Sequence, residues 1–302
     1  MIGKSRGTYQ VIQDQMMKCP ICDDHSHDAL YKINNYSISG CKTCTHIFVS
    51  DALASETLNK AYEQDYYQGK NYEVVSGYTD YIGNLDQRLS VFSERLTRIQ
   101  NRTLKRGKIL DYGCAVGLFV KVAKDAGWKA TGYERSEWAS NYGKDTFGVD
   151  IVCGSGRAED FPDNHFDAIT MWDVLEHLEH PSEVLGMISR WMRSGGTLVL
   201  NTVNSSSLGA KIAGSEWRHL LPPHHLQYFS RRSIEQFLEN AGFNIVSFES
   251  QGVMLGASTS YSHSSSNVFR RGIENAATHW RSRKIANLFN LLDEFEILAV
   301  KR

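Results

Sequence analysis

The sequence lacks an excess of charge of either sign. Its 302 residues contain 33 Lys and Arg against 34 Asp and Glu, which gives a net charge of −1. A chain with this balance has no overall field that would attract it to nucleic acid or to an anionic membrane. Long apolar runs are also missing, because no stretch approaches the roughly 18 residues of a membrane-spanning helix. We therefore expect neither a nucleic-acid partner nor a membrane.

Cysteine, signal sequence and repeats are scarce or missing as well. Six cysteines are too few for a disulfide scaffold in a chain of this length. The N-terminal sequence MIGKSRGTYQVIQDQ contains no apolar segment before a cleavage site, and no period of about 20 to 50 residues repeats. These absences predict a cytoplasmic globular protein with one large domain or two smaller ones.

Four of the cysteines form two Cys-x-x-Cys pairs near the N-terminus. Residues 23–40 separate the pairs, a spacing inside the roughly 15 to 20 residues that is typical of a four-cysteine zinc site. Such a site is tetrahedral and closed, so its zinc is structural. The alternative is a set of reduced or disulfide-paired core cysteines. We predict a zinc-binding lobe over residues 1–50, with zinc held by Cys19, Cys22, Cys41 and Cys44.

A glycine-punctuated turn follows the apolar strand predicted at 108–112. Gly113 and Gly117 lie in this turn, which leads into an apolar helix. Such a turn lets backbone approach a ligand and aims helix N-terminal amides at it. The next strand ends at Glu134, about 20 residues further on, where an acid is placed to bind ribose hydroxyls. Asp111 precedes the glycines and would repel a pyrophosphate, so it favours a ligand with a cationic amino-acid end.

Residues 111–117 resemble the first motif, hhD-h-G-C-G-x-G, of the class I S-adenosylmethionine-dependent methyltransferases. Further motifs of that family follow in order along the chain: Glu134 matches the ribose-binding acid, 156–163 the adenine loop, 166–178 the fourth-strand motif that ends in Glu-His, and 195–200 the fifth strand. Several motifs in the right order and spacing are far more specific than any single one.

The resemblance implies an α/β fold with a doubly wound, seven-stranded, mostly parallel sheet of the Rossmann-like methyltransferase type, preceded by the small zinc-binding lobe. Strands are expected at 108–112, 129–134, 149–152, 166–172, 196–202, 243–250 and 295–300. Beyond the lobe, we expect a helical cofactor-lid segment at 51–105 and a methyltransferase domain at 106–302. That domain contains a helical insert at about 254–293, whose basic residues form either a solvated face or a phosphate site.

The same resemblance assigns the cofactor-binding residues. Two positions depart from the family pattern: Ala115 replaces the middle glycine, and Arg157 stands where many members carry an Asp that contacts adenine. The adenine contacts are therefore assigned to the next two residues. The implied S-adenosylmethionine-binding residues are Asp111, Gly113, Gly117, Glu134, Ala158, Glu159, Trp172 and Asp173, and in the lid segment Tyr66 and Tyr72 are candidates for contact with the cofactor or substrate.

Methyl transfer from a sulfonium needs alignment and exclusion of water, and it needs a base only when the nucleophile carries a proton. Residues 217–230 resemble the H-L-x-x-F-S segment of small-molecule methyltransferases, in which His225 is the matching position. His224 and His225 are the predicted catalytic residues, and a loop-pinning role is the alternative. Asp173, Glu176 and His177, with a distant His, also resemble the metal-binding constellation of small-RNA 3′-terminal 2′-O-methyltransferases. For these three, ordering of the helix after the fourth strand is the alternative.

We therefore expect an S-adenosylmethionine-dependent methyltransferase with a small-molecule acceptor. A zinc ribbon joined to this domain resembles the C-methyltransferases of deoxysugar nucleotides and other enzymes of surface-polysaccharide or natural-product assembly. One alternative is an RNA methyltransferase that uses the zinc lobe, or a divalent ion near Asp173, Glu176 and His177. The other is a non-catalytic scaffold that has kept the cofactor site.

Overall fold

The structure is a computed structural model that describes residues 18–51, 67, 81–102, 106–251 and 292–302. No helix in these ranges is both long and apolar enough to cross a bilayer. The elements in chain order are β1 (His27–Ile33), β2 (Tyr36–Cys41), β3 (Ile47–Val49), α1 (Leu85–Gln100), β4 (Lys108–Tyr112), α2 (Leu118–Asp125), β5 (Lys129–Glu134), α3 (Glu137–Phe147), β6 (Ile151–Cys153), β7 (Phe166–Trp172), α4 (Pro181–Trp191), β8 (Met192–Val203), α5 (Leu208–Ala213), β9 (Gln227–Tyr228), α6 (Arg231–Asn240), β10 (Phe243–Gln251) and β11 (Glu294–Lys301).

Seven strands form the main sheet in the order β10-β11-β8-β7-β4-β5-β6. The pairs β8-β7, β7-β4, β4-β5 and β5-β6 are parallel, whereas β11 runs antiparallel to both of its neighbours. The chain leaves β4 toward β5 and β6 and then returns to the other side of β4 with β7. The predicted mostly parallel, doubly wound sheet is confirmed, with its switch in strand order beside β4.

The strand bounds agree with expectation to within two residues except at β8. This strand begins at Met192, where 196 was expected, because Met192 already pairs with Phe166 across an irregularity in the β7 register. The intervening sequence Arg193-Ser194-Gly195-Gly196 resembles a turn, and Gly195 has a φ of 76°. Tertiary pairing therefore keeps in the sheet a segment whose local sequence favours leaving it.

Helices cover both faces of the sheet. On one face α1 and α2 pack against the sheet through Phe92, Leu96 and Phe119. On the other face α4 and α6 bury Trp191 and Phe237 in a second cluster. The two layers bury most positions of β4 and β7, as expected of parallel strands that are covered on both faces.

A second, four-stranded antiparallel sheet has the order β1-β2-β3-β9. The turn between β1 and β2 places Asn34 and Asn35 at φ values of 51° and 67°, the left-handed conformation that a tight hairpin requires and Asn tolerates. We call residues 18–51 the four-cysteine lobe. Its sheet is completed by β9, which comes from a segment after β8, so backbone pairing ties the lobe to the main domain.

Several predicted features lie outside the described residues. The predicted lid segment is described only at 51, 67 and 81–102, where α1 agrees with its expected helical character. Tyr66, Tyr72 and the insert as far as residue 291 lie beyond the described ranges. The division into domains remains a prediction.

Trp191 is expected to be a major source of stability. Its indole is fully buried, packs against Tyr133 and Phe161, and donates from Nε1 to the carbonyl oxygen of Ala158 at 2.9 Å. Replacement with Ala should lower the free energy of unfolding by about 3–5 kcal/mol, because it leaves a large cavity. Urea denaturation measures this loss. Val152→Ala, on the edge strand β6, should stay within about 0.5 kcal/mol of the parent, and an equal loss in both variants would contradict the prediction.

Candidate functional site

A cavity of about 530 Å³ opens at the carboxyl ends of β4, β5 and β7. Parallel strands with diverging connections leave a crevice at this point of the sheet. The cavity brings together six of the eight predicted cofactor residues, which come from four separate stretches of sequence. They are Asp111, Gly113, Glu134, Ala158, Trp172 and Asp173.

The turn after β4 needs unusual backbone conformations. Gly113 has a φ of 74°, and a Cβ on it would lie 2.5 Å from Val174 Cγ2. Gly117, also at 74°, is the residue before α2 and is not among the described residues that line the cavity. Ala115 adopts a φ of 49° where the family pattern has glycine. The turn therefore accommodates this departure, at the cost of a strained alanine.

Glu134 holds this turn in place from the end of β5. Its Oε2 accepts a hydrogen bond from the Ala115 amide at 2.9 Å, and its Oε1 accepts one from the Ser136 amide at 2.8 Å. Burial raises the pKa of Glu134, while these amides favour the charged form. A carboxylate oxygen accepts more than one hydrogen bond, so Glu134 can hold the turn and still bind hydroxyls in the cavity.

Asp111 lies on the neighbouring strand β4 and is also buried. Its Oδ1 accepts a hydrogen bond from the Thr170 hydroxyl at 2.7 Å. Burial, together with the nearby charge of Glu134, raises the pKa of Asp111 to about 7, against the lowering effects of Thr170 and Arg95. The cavity thus contains two buried acids, an arrangement that suits a cationic ligand.

The loop at 156–160 borders another part of the cavity. Tyr133 donates its hydroxyl to Asp160 and accepts from the Gly156 amide at 2.7 Å. Ala158 lines the cavity, whereas Glu159 does not lie among the described lining residues. The Glu159 side chain is 73% exposed and lies 3.9 Å from Arg157 Nε. Of the two residues assigned to adenine, the structure places only Ala158 at the cavity.

Trp172 is the last residue of β7, and Asp173 follows it. The Trp172 ring packs on Phe119, and the Arg95 guanidinium lies 4.4 Å from the ring centre. Asp173 has a φ of 55°, and Asn201 fixes it by accepting from the Asp173 amide at 3.0 Å and donating to its carboxylate. A left-handed non-glycine residue held in this way is typical of a functional site.

A third histidine, His177, lies at the cavity, whereas the two predicted catalytic histidines are buried away from it. His224 and His225 are buried and are not among the described residues that line the cavity, whereas His177 lines it. The His177 and His225 rings meet edge to face, 4.8 Å between centres. Burial lowers the pKa of His177 to about 4 and that of His225 well below its usual range. Both rings are therefore neutral near pH 7.

The possible divalent-ion ligands differ from the predicted set. Glu176, His177 and His225 each offer an atom within 4.8 Å of the others, and Asp173 is not part of this group. Burial and the nearby Asp173 raise the pKa of Glu176 to about 8, and Thr202 donates to its carboxylate at 2.8 Å. The sequence did not specify which distant histidine would join Glu176 and His177, and in the structure His225 lies beside them.

The four cysteines of the lobe converge as predicted, with all four Sγ atoms within 4.8 Å of one another. Sγ separations are 3.5 Å for Cys19–Cys44 and for Cys22–Cys41. Tetrahedral zinc with bonds of about 2.3 Å places its sulfurs about 3.8 Å apart, whereas a disulfide needs about 2.05 Å. The cluster therefore fits a zinc ion and excludes a disulfide at these separations.

Sequence reasoning missed several lining residues. Arg88 of α1 lines the cavity, with its guanidinium 4.0 Å from the centre of the Tyr81 ring. Tyr67 and Tyr81 also line it, whereas the sequence predicts contacts from Tyr66 and Tyr72 of the lid segment. The available signal was the tyrosine cluster together with the spacing of Arg88, Phe92 and Arg95, which places them along one face of a helix.

Comparison with known proteins agrees with this geometry. Residues 84–248, more than half of the chain, match a family model described as a methyltransferase domain. The ubiquinone biosynthesis O-methyltransferase of Methylococcus capsulatus is 27% identical over 172 residues, which cover 52% of this chain and 72% of that protein. The mitochondrial enzyme of that name from Schizosaccharomyces pombe is 28% identical over 145 residues, covering 45% and 50%.

Solved structures share the fold at low identity. A methyltransferase from Archaeoglobus fulgidus, described as SAM-dependent, superposes with a TM-score of 0.51 at 21% identity and covers 73% of this chain and 99% of that one. Magnesium protoporphyrin IX methyltransferase from Synechocystis PCC 6803, solved with bound SAH, gives 0.52 at 14% identity, covering 82% and 100%. With the family match and the motif residues gathered at one cavity, these findings show that the chain belongs to the methyltransferase-domain family and is a class I S-adenosylmethionine-dependent methyltransferase.

Proposed function

We propose that this protein methylates a hydroxyl group of a small-molecule acceptor and that its four-cysteine lobe holds a structural zinc ion. The observation that carries the proposal is the convergence of Asp111, Gly113, Glu134 and Ala158 on one cavity. In this arrangement Glu134 binds the ribose hydroxyls, Asp111 faces the cationic amino-acid end, and Ala158 borders the adenine.

The acceptor class is inferred from the cavity and from the relatives. Tyr81, Phe92 and Trp172 give part of the cavity an aromatic lining, which suits a flat, largely apolar molecule. Relatives named ubiquinone biosynthesis O-methyltransferase favour oxygen as the methylated atom. Sugar nucleotides and other biosynthetic intermediates remain within the proposed small-molecule class.

His177 and His225 are proposed to handle the acceptor's proton. When bound, S-adenosylmethionine supplies an electrophilic methyl group on a sulfonium that leaves as a neutral thioether. Transfer of this methyl group to the acceptor oxygen would release the hydroxyl proton, which an imidazole of this chain would take up. Neutral His177 at the cavity surface is placed to accept this proton, although the pKa of about 4 that burial gives it makes it a weak base, and the contact with His225 supports its ring.

Calorimetry with S-adenosylhomocysteine, together with zinc analysis of the same sample, tests both parts of this proposal. We expect micromolar binding and one zinc per chain. Methyl transfer is then assayed with phenolic acceptors and, in parallel, with nucleotide sugars. Cofactor binding without methylation of any acceptor would favour the scaffold alternative, and absence of cofactor binding would refute the proposal. Salt-dependent RNA binding accompanied by RNA methylation would favour the RNA alternative.

Glu134→Ala should weaken S-adenosylhomocysteine binding by about 10-fold or more. The variant loses the ribose hydrogen bonds, at about 0.5–1.5 kcal/mol each, and also the Ala115 contact that holds the turn. Calorimetry measures the dissociation constant. Glu159→Ala is the matched control, because the exposed Glu159 side chain does not line the cavity. Equal affinities in the parent and Glu134→Ala would remove Glu134 from the cofactor site.

Cofactor affinity should rise with pH as Asp111 becomes charged. Its pKa of about 7 means that the acid is mostly neutral at about pH 6 and mostly ionised at about pH 8. Only the ionised form attracts the cationic end of S-adenosylmethionine, and Glu134 and Arg95 act on the same acid.

The pH dependence is measured as the dissociation constant of S-adenosylmethionine at several pH values. Asp111→Asn should flatten the part of the rise that Asp111 causes, whereas titration of the ligand itself is common to both proteins. A rise of the same size in the variant would show that another group is responsible.

A further inference from the structure

We propose that Gln227 couples the four-cysteine lobe to the cofactor cavity, so that zinc occupancy of the lobe controls how tightly the cofactor is held. In this proposal the lobe holds in position a turn that lines the cofactor cavity. Gln227 is a positioning residue that acts through the turn of residues 174–178. This inference rests on the proposed function, because S-adenosylhomocysteine is the ligand by which it is measured.

The Gln227 side chain bridges the four-cysteine lobe and the turn of residues 174–178, which we call the cavity turn. Its Oε1 accepts a hydrogen bond from His46 Nε2 at 2.8 Å, and its Nε2 donates to the Leu178 carbonyl oxygen at 2.9 Å. A carbonyl oxygen only accepts, so the amide has one consistent orientation, with Oε1 toward His46. Gln227 is 4% exposed and His46 is fully buried, so water cannot readily replace either bond.

Backbone hydrogen bonds follow the same route. The Val49 amide donates to the Leu226 carbonyl oxygen at 2.9 Å. The Leu226 amide in turn donates to the Glu176 carbonyl oxygen at 2.7 Å. Strand β9 also pairs with β3, with Gln227 opposite Phe48. The segment Leu226–Gln227 is therefore bonded to the lobe on one side and to the cavity turn on the other.

The lobe end of this route begins at the cysteine cluster. His46 follows Cys44 by two residues, and its carbonyl oxygen accepts from the Cys41 amide at 2.8 Å. The cysteines also share one apolar cluster with Phe229 and Leu175 of the main domain. A metal that joins the four thiolates fixes the knuckle that carries His46, because it crosslinks two short turns.

At the cavity end, the turn has little internal support. It is a single 3-10 turn at Leu175–His177, with amide-to-carbonyl distances of 3.0 Å from His177 to Val174 and 3.4 Å from Leu178 to Leu175. Val174, His177 and Leu178 nevertheless line the cavity. Such a turn depends on outside bonds for its position, and the bonds to Leu226 and Gln227 supply two of them.

The experiment compares zinc-loaded Gln227→Leu with the parent and with Ser182→Ala. The control breaks a different bond between lobe and domain, from Ser182 Oγ to the Pro20 carbonyl oxygen at 2.6 Å. We expect Gln227→Leu to bind S-adenosylhomocysteine at least about 5-fold more weakly with its zinc content unchanged, and Ser182→Ala to bind as the parent does. An unchanged affinity in Gln227→Leu would overturn the proposal.

Zinc removal supplies the test of coupling. A chelator should weaken cofactor binding to the parent and add little to the defect of Gln227→Leu, because the link is already broken. Equal weakening in both proteins would overturn the role of Gln227. Amide hydrogen exchange at 174–178 should accelerate on zinc removal and in Gln227→Leu, but not in Ser182→Ala.

A second variant and a measurement that needs no ligand allow the link to be tested even if Gln227→Leu does not fold or the parent does not bind the cofactor product. If Gln227→Leu does not fold, Gln227→Glu replaces it, because a carboxylate still accepts from His46 but cannot donate to the Leu178 carbonyl oxygen. Hydrogen exchange at 174–178 needs no ligand. A parent protein that fails to bind S-adenosylhomocysteine would therefore refute the proposed function and leave the link testable, whereas unchanged exchange in the Gln227 variant would refute the link.

Discussion

The parallel pairing of β4 with β5 on one side and β7 on the other is the constraint on which the site depends. Because the chain leaves β4 in one direction and returns on the other, the connections diverge above the sheet and leave a crevice. Every group proposed to bind the cofactor stands at this edge. A different strand order would leave the same motifs intact and scatter them.

The crevice is built at some cost to stability. Asp111 and Glu134 are buried acids whose pKa values are raised by desolvation, and Ala115 and Asp173 hold left-handed backbone conformations. Folding tolerates these features because the two apolar layers of the sheet supply the stability that the site lacks. The acids and the strained backbone are the features expected of a site organised for a cationic ligand before it arrives.

The four-cysteine lobe is integrated with this scaffold through β9, which is far from the lobe in sequence but belongs to its sheet. Shared hydrogen bonds and a shared apolar cluster give the lobe a direct mechanical connection to the turn that ends in Leu178. This connection gives a physical reason for the proposed structural zinc ion in a domain whose own sheet is already well packed.

The sequence by itself determined the sheet, the glycine turn after β4 and the cysteine set, because each depends on local pattern: apolar strands, positive-φ residues and Cys-x-x-Cys spacing. It also placed Asp111 and Glu134 at the ends of two successive strands, and the parallel pairing of β4 with β5 then brings them together. Only the tertiary structure decided that His177 and not His225 lines the cavity, that Glu159 faces outward, that Arg88 lines the cavity, and that Gln227 donates to the Leu178 carbonyl oxygen. These residues act through contacts between segments far apart in the chain, and no local periodicity or spacing records which distant backbone a side chain will meet.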